Sequence, residues 1–268
     1  KRSNNAESIH KRVKTYPYWD KILIRVNKNG MSEFYNTGDY KFDYAKVSLP
    51  DFKGTTNWVK RPDGSFDVKG NVVIDDSLLV DGKLKWKFNR VDGDFSLSKC
   101  LTLVTYQGCP VSVSGNFSCA VKSSVETLEG CPDIVAGDFN CDGHKTLKTL
   151  KGSPIKVFGK YNISHCDGIK NLEWSPLEVG YLYASYMKGL VSLDGCPVTI
   201  EHDCICTYNP VLRSIYFLTD NVGGMMDFTG CKSLRIRDIE NLFGYEVPPN
   251  FKHDLKESFI KKKKKKKL

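Results

Sequence analysis

A turn signature recurs through the middle of the chain at a nearly constant interval. It reads Gly108-Cys109-Pro110, Gly130-Cys131-Pro132, Gly152-Ser153-Pro154, Trp174-Ser175-Pro176 and Gly195-Cys196-Pro197, with prolines 22, 22, 22 and 21 residues apart. A fixed period of this size marks a stacked-repeat architecture, in which one unit cannot bury its apolar face alone and neighbours complete a shared core.

Each repeat carries the same apolar columns. One, two positions apart along the chain from the next, runs Val113, Val135, Val157, Val179, Ile200. It is followed by Gly115, Gly137, Gly159, Tyr181, His202; then Phe117, Phe139, Tyr161, Tyr183, Cys204; then Cys119, Cys141, Ile163, Ser185, Cys206. Side chains two apart share a face of a strand, so this spacing predicts one alternating strand per repeat with these columns inward. A second apolar pair precedes each turn, as in Val125/Leu128, Leu147/Leu150, Ile169/Leu172 and Leu190/Leu193. Upstream, Phe66, Val68, Gly70, Val72 and Ile74 begin the pattern, and Phe88, Val91, Gly93, Phe95 and Leu97 continue it.

The pattern V-x-G-x-F-x-C followed by L-x-x-L-x-G-x-P resembles a leucine-rich-repeat-like family common among bacteriophage proteins. The resemblance covers about 66–215; Arg61 to Gly70 is similar to that family's lead-in, and Asn209-Pro210-Val211-Leu212-Arg213-Ser214-Ile215 to its exit. It implies a mainly β repeat solenoid of leucine-rich-repeat type that exits into a C-terminal cap, expected to be helical; the residues before it read as an α/β cap over the first open rung, which a solenoid needs to cover its sheet edge. The expected division is an N-terminal cap of helix plus hairpin over 1–65, the solenoid over 66–215, a C-terminal cap over 216–260 and a basic tail over 261–268.

Within the first segment, residues 3–15 read as a helix with Ser3 or Asn4 as N-cap. Lys21–Val26 and Met31–Tyr35 read as strands about the turn Asn27-Lys28-Asn29-Gly30, and Tyr40–Val47 as a further strand. Past Pro210, Ser233–Phe243 and Phe251–Ile260 read as helices, and Val211–Leu218 as a helical turn or a last strand.

The net charge of +9 is concentrated at the ends. Lys261, Lys262, Lys263, Lys264, Lys265, Lys266 and Lys267, together with Lys1, Arg2, Lys11, Arg12 and Lys14, exceed the whole net charge, which leaves the body slightly acidic. That argues against a nucleic-acid surface spread over the body. The lysine run reads as a solvated tail or as a sequence-blind tether to nucleic acid or another anionic surface. No apolar run reaches the ~18 residues of a membrane span, and the basic start lacks the apolar stretch of a secretion signal. The expected location is the host cytoplasm, with packaging in a virion as the variant reading. The ten cysteines share repeat slots with Ile163, Ser153 and Ser175, which points to free thiols used as small core and turn residues.

No catalytic constellation is present: there is no phosphate loop, dinucleotide fingerprint or serine elbow, and no cofactor is implied. His202, Cys204 and Cys206 suggest a metal cluster, but the alternation places all three in core slots and no CxxC pair accompanies them, so no metal site is assigned. The outward rows are more informative. They run Asp92, Ser114, Ala136, Phe158, Gly180, Glu201; Asp94, Asn116, Asp138, Lys160, Leu182, Asp203; and Ser96, Ser118, Asn140, Asn162, Ala184, Ile205. The early rows are small and polar, whereas Phe158, Leu182 and Ile205, beside Lys160, form an expected protein-binding patch. The expected function is a non-enzymatic, phage-encoded scaffold that binds a host or phage protein. The alternatives are a nucleic-acid-associated protein anchored by its basic ends, and a virion component.

Overall fold

A computed structural model describes residues 24–26, 32–34, 55–244 and 247–254 of the 268-residue chain. The helix expected over 3–15, the strand over Tyr40–Val47, residues 255–260 and the lysine run lie outside the described residues. The chain divides into two compact units, Lys1–Lys46 and Val47–Leu268. In the first, Ile24–Val26 and Ser32–Phe34 pair antiparallel, with Arg25 opposite Glu33, as the Asn-Gly turn between them predicts.

The second unit is a β-solenoid of about eight turns. Its strands pair in parallel, each with the corresponding strand about one repeat away. Ser112 lies opposite Arg90 on one side and Ile134 on the other, Ile134 opposite Lys156, and Lys156 opposite Glu178. Parallel pairing follows from the repeat: each turn brings the chain back to the same edge in the same direction, one strand spacing of ~4.8 Å further on. At the start of the coil, Thr55–Lys60 runs antiparallel along Phe66–Gly70.

The core is a set of columns that run from turn to turn. Phe95, Phe117, Phe139 and Tyr161 stack face to face, with ring centroids 5.8, 5.4 and 5.5 Å apart. Beside them run Val91, Val113, Val135, Val157 and Val179, and on the far side Leu128, Leu150, Leu172 and Leu193, all buried. The ten cysteines are all buried, and none forms a disulfide among the described residues.

Two features differ from the sequence reading. The expected single strand is, in the turns of Val113 and Val135, two short strands: Ser112–Val113 and Phe117–Ser118, then Ile134–Val135 and Phe139–Asn140. Between them Gly115 and Gly137 make a bend at which successive backbones approach closely. A Cβ on Gly137 would stand 2.5 Å from Asn116 Oδ1 and 2.7 Å from the Gly115 carbonyl. The second feature is the extent of the coil. Cys204–Ile205 pairs with Met226–Asp227, which pairs with Phe251–Lys252, so parallel strands continue through the segment where the sequence suggests a cap. Val211–Leu218 is neither helix nor strand; it forms the outer part of a turn, with Leu212, Ile215 and Leu218 buried. The helix Ile236–Phe243 lies within the expected helical stretch, whereas Phe251–Lys252 is a strand.

Candidate interaction surface

The outward face of the sheet is organised by a side-chain ladder. Asn71 Oδ1 accepts the backbone N–H of Asp94, Asp94 Oδ1 that of Asn116, Asn116 Oδ1 that of Asp138, and Asp138 Oδ1 that of Lys160, at 2.7–2.8 Å. Asp203 Oδ1 repeats the contact with Met225 N–H at 2.7 Å. The glycine bend leaves one N–H per turn pointing along the solenoid, and a short Asn or Asp on the preceding turn reaches it. Asp94, Asn116, Asp138 and Asp203, read from the sequence as part of a solvent-facing row, are therefore structural.

At Lys160 the ladder stops and the face changes character. The register slips by one: Val157 lies opposite Val179, but Lys160 lies opposite Tyr181, Tyr161 opposite Leu182 and Asn162 opposite Tyr183. Gly180, rather than Tyr181, follows the glycine column. The missing residue corresponds to the single 21-residue interval between prolines. Within this strand Tyr181, Leu182 and Tyr183 change face, as a one-residue slip demands, and the next turn returns to the 22-residue offset. Leu182 is thereby fully buried, in the column of Tyr161. Its expected place on the outer binding face is corrected; Tyr181 and Tyr183 point outward instead, both half-buried. His202 is also corrected: it is exposed, with its ring 4.5 Å from that of Tyr181, while Cys204 and Cys206 are buried with sulfurs 3.8 Å apart.

The remaining expected residues keep to the outer face. Phe158 and Ile205 are half-buried and Lys160 is exposed. The Lys156 ammonium lies 4.5 Å from the centre of the Phe158 ring and 2.5 Å from Glu178 Oε2. Phe158, Tyr181, Tyr183, His202 and Ile205 thus gather on three successive turns. The same rows in earlier turns hold Ser114, Ala136, Ser118 and Asn140. The expected anionic-surface residues Lys261–Lys267 lie outside the described residues.

Burial pushes the Cys100 thiol up to about 12 and the Cys231 thiol up to about 11, so both are protonated at neutral pH. His144, fully buried, lies 3.1 Å from the Tyr106 hydroxyl and 3.3 Å from Thr146 Oγ1, and burial holds its pKa below the usual value. Among the described residues, no three His, Cys, Asp or Glu side chains form a group suited to a metal ion, and no helix is long and apolar enough to cross a membrane.

The roles of three buried polar side chains, Asn209, Ser153 and Ser175, were not recognised in the sequence. Asn209 donates to the carbonyls of Ala184 and Cys206 and accepts from Met187 N–H, satisfying backbone groups inside the coil. Ser153 meets the Tyr161 hydroxyl at 2.7 Å, but in the next turn Leu182 replaces that tyrosine, and the buried hydroxyl of Ser175 has no hydrogen-bond partner among the described residues. In comparisons with protein families, curated proteins and solved structures, nothing matches this chain.

Proposed function

We propose that this chain is a non-enzymatic scaffold, encoded by a bacteriophage and acting in the host cytoplasm, that binds a host or phage protein through the aromatic end of its sheet face. One observation carries the reading. Phe158, Tyr181, Tyr183 and Ile205 stand part-exposed together on a face whose earlier turns present small polar side chains. Aromatic side chains are enriched at the anchoring centres of protein interfaces, and a part-apolar patch on an otherwise polar sheet marks an interaction site. A parallel sheet hydrogen-bonded from turn to turn holds such residues with little freedom to lose on binding. The phage origin rests on the repeat pattern alone.

The test is affinity capture from infected host lysate at low and high salt, with nuclease present, using the full chain, Phe158→Asp, Tyr181→Asp and a chain lacking Lys261–Lys267. One protein retained at high salt by the full chain and the shortened chain, and lost with both face variants, supports the reading. Capture that needs the lysines and disappears with salt or nuclease overturns it in favour of an electrostatic nucleic-acid tether.

A further inference from the structure

One corner of the coil repeats an unusual backbone. Gly143, His165, Tyr186, Tyr208 and Gly230 occupy the same place in successive turns, with φ of 78°, 57°, 56°, 55° and 78°. Left-handed backbone suits glycine and is disfavoured for histidine and tyrosine. The three rings are nonetheless held there and stack, His165 on Tyr186 at 5.1 Å and Tyr186 on Tyr208 at 4.9 Å, with planes within 1° and 11° of parallel. Tyr186 and Tyr208 remain about half exposed, at 48% and 49%. Strained, exposed aromatic positions are a mark of use.

The two ends of the stack differ. A Cβ on Gly230 would run into the Tyr208 ring, so the backbone there lies against that ring's face. At the other end, a Cβ on Gly143 would meet nothing within 4 Å. The His165 side chain is exposed and position 143 carries no side chain beside it, so one rung spacing of ~4.8 Å leaves room for a planar group to extend the stack. A carboxylate borders this space. Asp142 Oδ1 accepts from His165 Nδ1–H at 2.8 Å, and its second oxygen has no partner among the described residues. The nearby Lys145 is engaged with Asp167 at 3.3 Å and with the His165 carbonyl at 3.1 Å.

We propose that this corner binds the guanidinium of an arginine side chain on a partner peptide, stacked on His165 and hydrogen-bonded to Asp142. Guanidinium is the planar cation that offers a flat face to the imidazole and an N–H fork to the carboxylate. An ammonium has no plane to stack. An indole offers the carboxylate one neutral N–H and no positive charge, and a nucleotide brings phosphate toward it. The corner is separate from the Phe158–Tyr181 patch, and neither its argument nor its test depends on that patch.

The test uses the full chain labelled with 13C at the imidazole carbons of its five histidines. It is titrated by NMR with acetyl-arginine amide, acetyl-lysine amide, acetyl-tryptophan amide or adenosine monophosphate. The His165 signal, assigned by its loss in His165→Asn, shifts saturably with the arginine amide at a midpoint several-fold below that of the others. Asp142→Asn weakens the shift. Gly143→Asn, which fills the space with a residue tolerant of left-handed backbone, abolishes it; an unchanged thermal midpoint shows that each variant is folded. The proposal is overturned if the lysine amide matches the arginine amide, if the tryptophan amide or the nucleotide binds better, if the shift persists in Gly143→Asn, or if the arginine amide produces no shift.

Discussion

Replacing Gly137 with alanine tests the close contact on which the coil depends. The backbone φ at this position is not left-handed, so the cost lies in space alone. The added Cβ would meet Asn116 Oδ1 at 2.5 Å and the Gly115 carbonyl carbon and oxygen at 2.7 Å. Those groups are fixed by the Gly137 N–H to Gly115 carbonyl bond at 2.9 Å and the Asp138 N–H to Asn116 Oδ1 bond at 2.8 Å. Moving them forfeits about 1 kcal/mol of hydrogen bonding and adds overpacking of about 1–3 kcal/mol. Alanine returns about 0.4–1 kcal/mol by restricting the unfolded chain. The expected net loss is about 2 kcal/mol, read from urea unfolding followed by circular dichroism. Gly143→Ala is the control: it meets no atom, and its left-handed backbone costs about 1–2 kcal/mol before the same return. In an Asn116→Ala background the Gly137→Ala loss shrinks by about 1 kcal/mol but persists, because the Gly115 carbonyl remains. Equal stability of Gly137→Ala and the parent chain, or a loss no larger than that of Gly143→Ala, would refute the reasoning.

Phe117→Ala, which empties a fully buried position between two stacked rings, lowers stability by about 3–5 kcal/mol in the same assay. Ser175→Cys, which removes an unsatisfied buried hydroxyl and installs the residue of the neighbouring turn slots, raises stability by about 1 kcal/mol; a loss would contradict the assignment. His144 and His253 are both held below the usual 6.5 by burial. Each is neutral in the fold where the unfolded chain takes up a proton. Their contribution is complete above about pH 6.5 and is lost as pH falls from there toward the folded-state pKa values, so urea midpoints decline with acidification through that range. The ten buried thiols resist a water-soluble thiol reagent in the native protein and react in denaturant.

The repeat was legible because its information lies in spacing: Val, Phe and Leu columns at a fixed interval specify parallel stacking whatever the identity of the outer residues. The outer face was less legible. A residue missing from one turn moves Leu182 inward and Tyr181 outward, and the proline interval of 21 records the loss without showing where in the turn it occurs. Placing it requires knowing that Gly180 follows the glycine column, a fact of backbone approach. The Asn71–Asp94–Asn116–Asp138 ladder was hidden for a similar reason. Polar residues on an outward row look like a solvated surface unless the N–H left unpaired at the glycine bend is already known. The turns after Pro210 departed from the proline signature, yet Met226 and Phe251 still keep their strand positions. The His165–Tyr186–Tyr208 stack had no sequence mark, because its left-handed backbone is a property of the corner.

The most direct measurement of the binding reading is site-specific photocrosslinking in infected host lysate, with p-benzoylphenylalanine placed at Tyr183 or, on the polar end of the same face, at Ser118. The account predicts one discrete crosslinked protein from position 183 and none from position 118, with the crosslink resistant to high salt and nuclease. Equal crosslinking from both positions, or none from position 183 while the full chain still captures a protein, would contradict it.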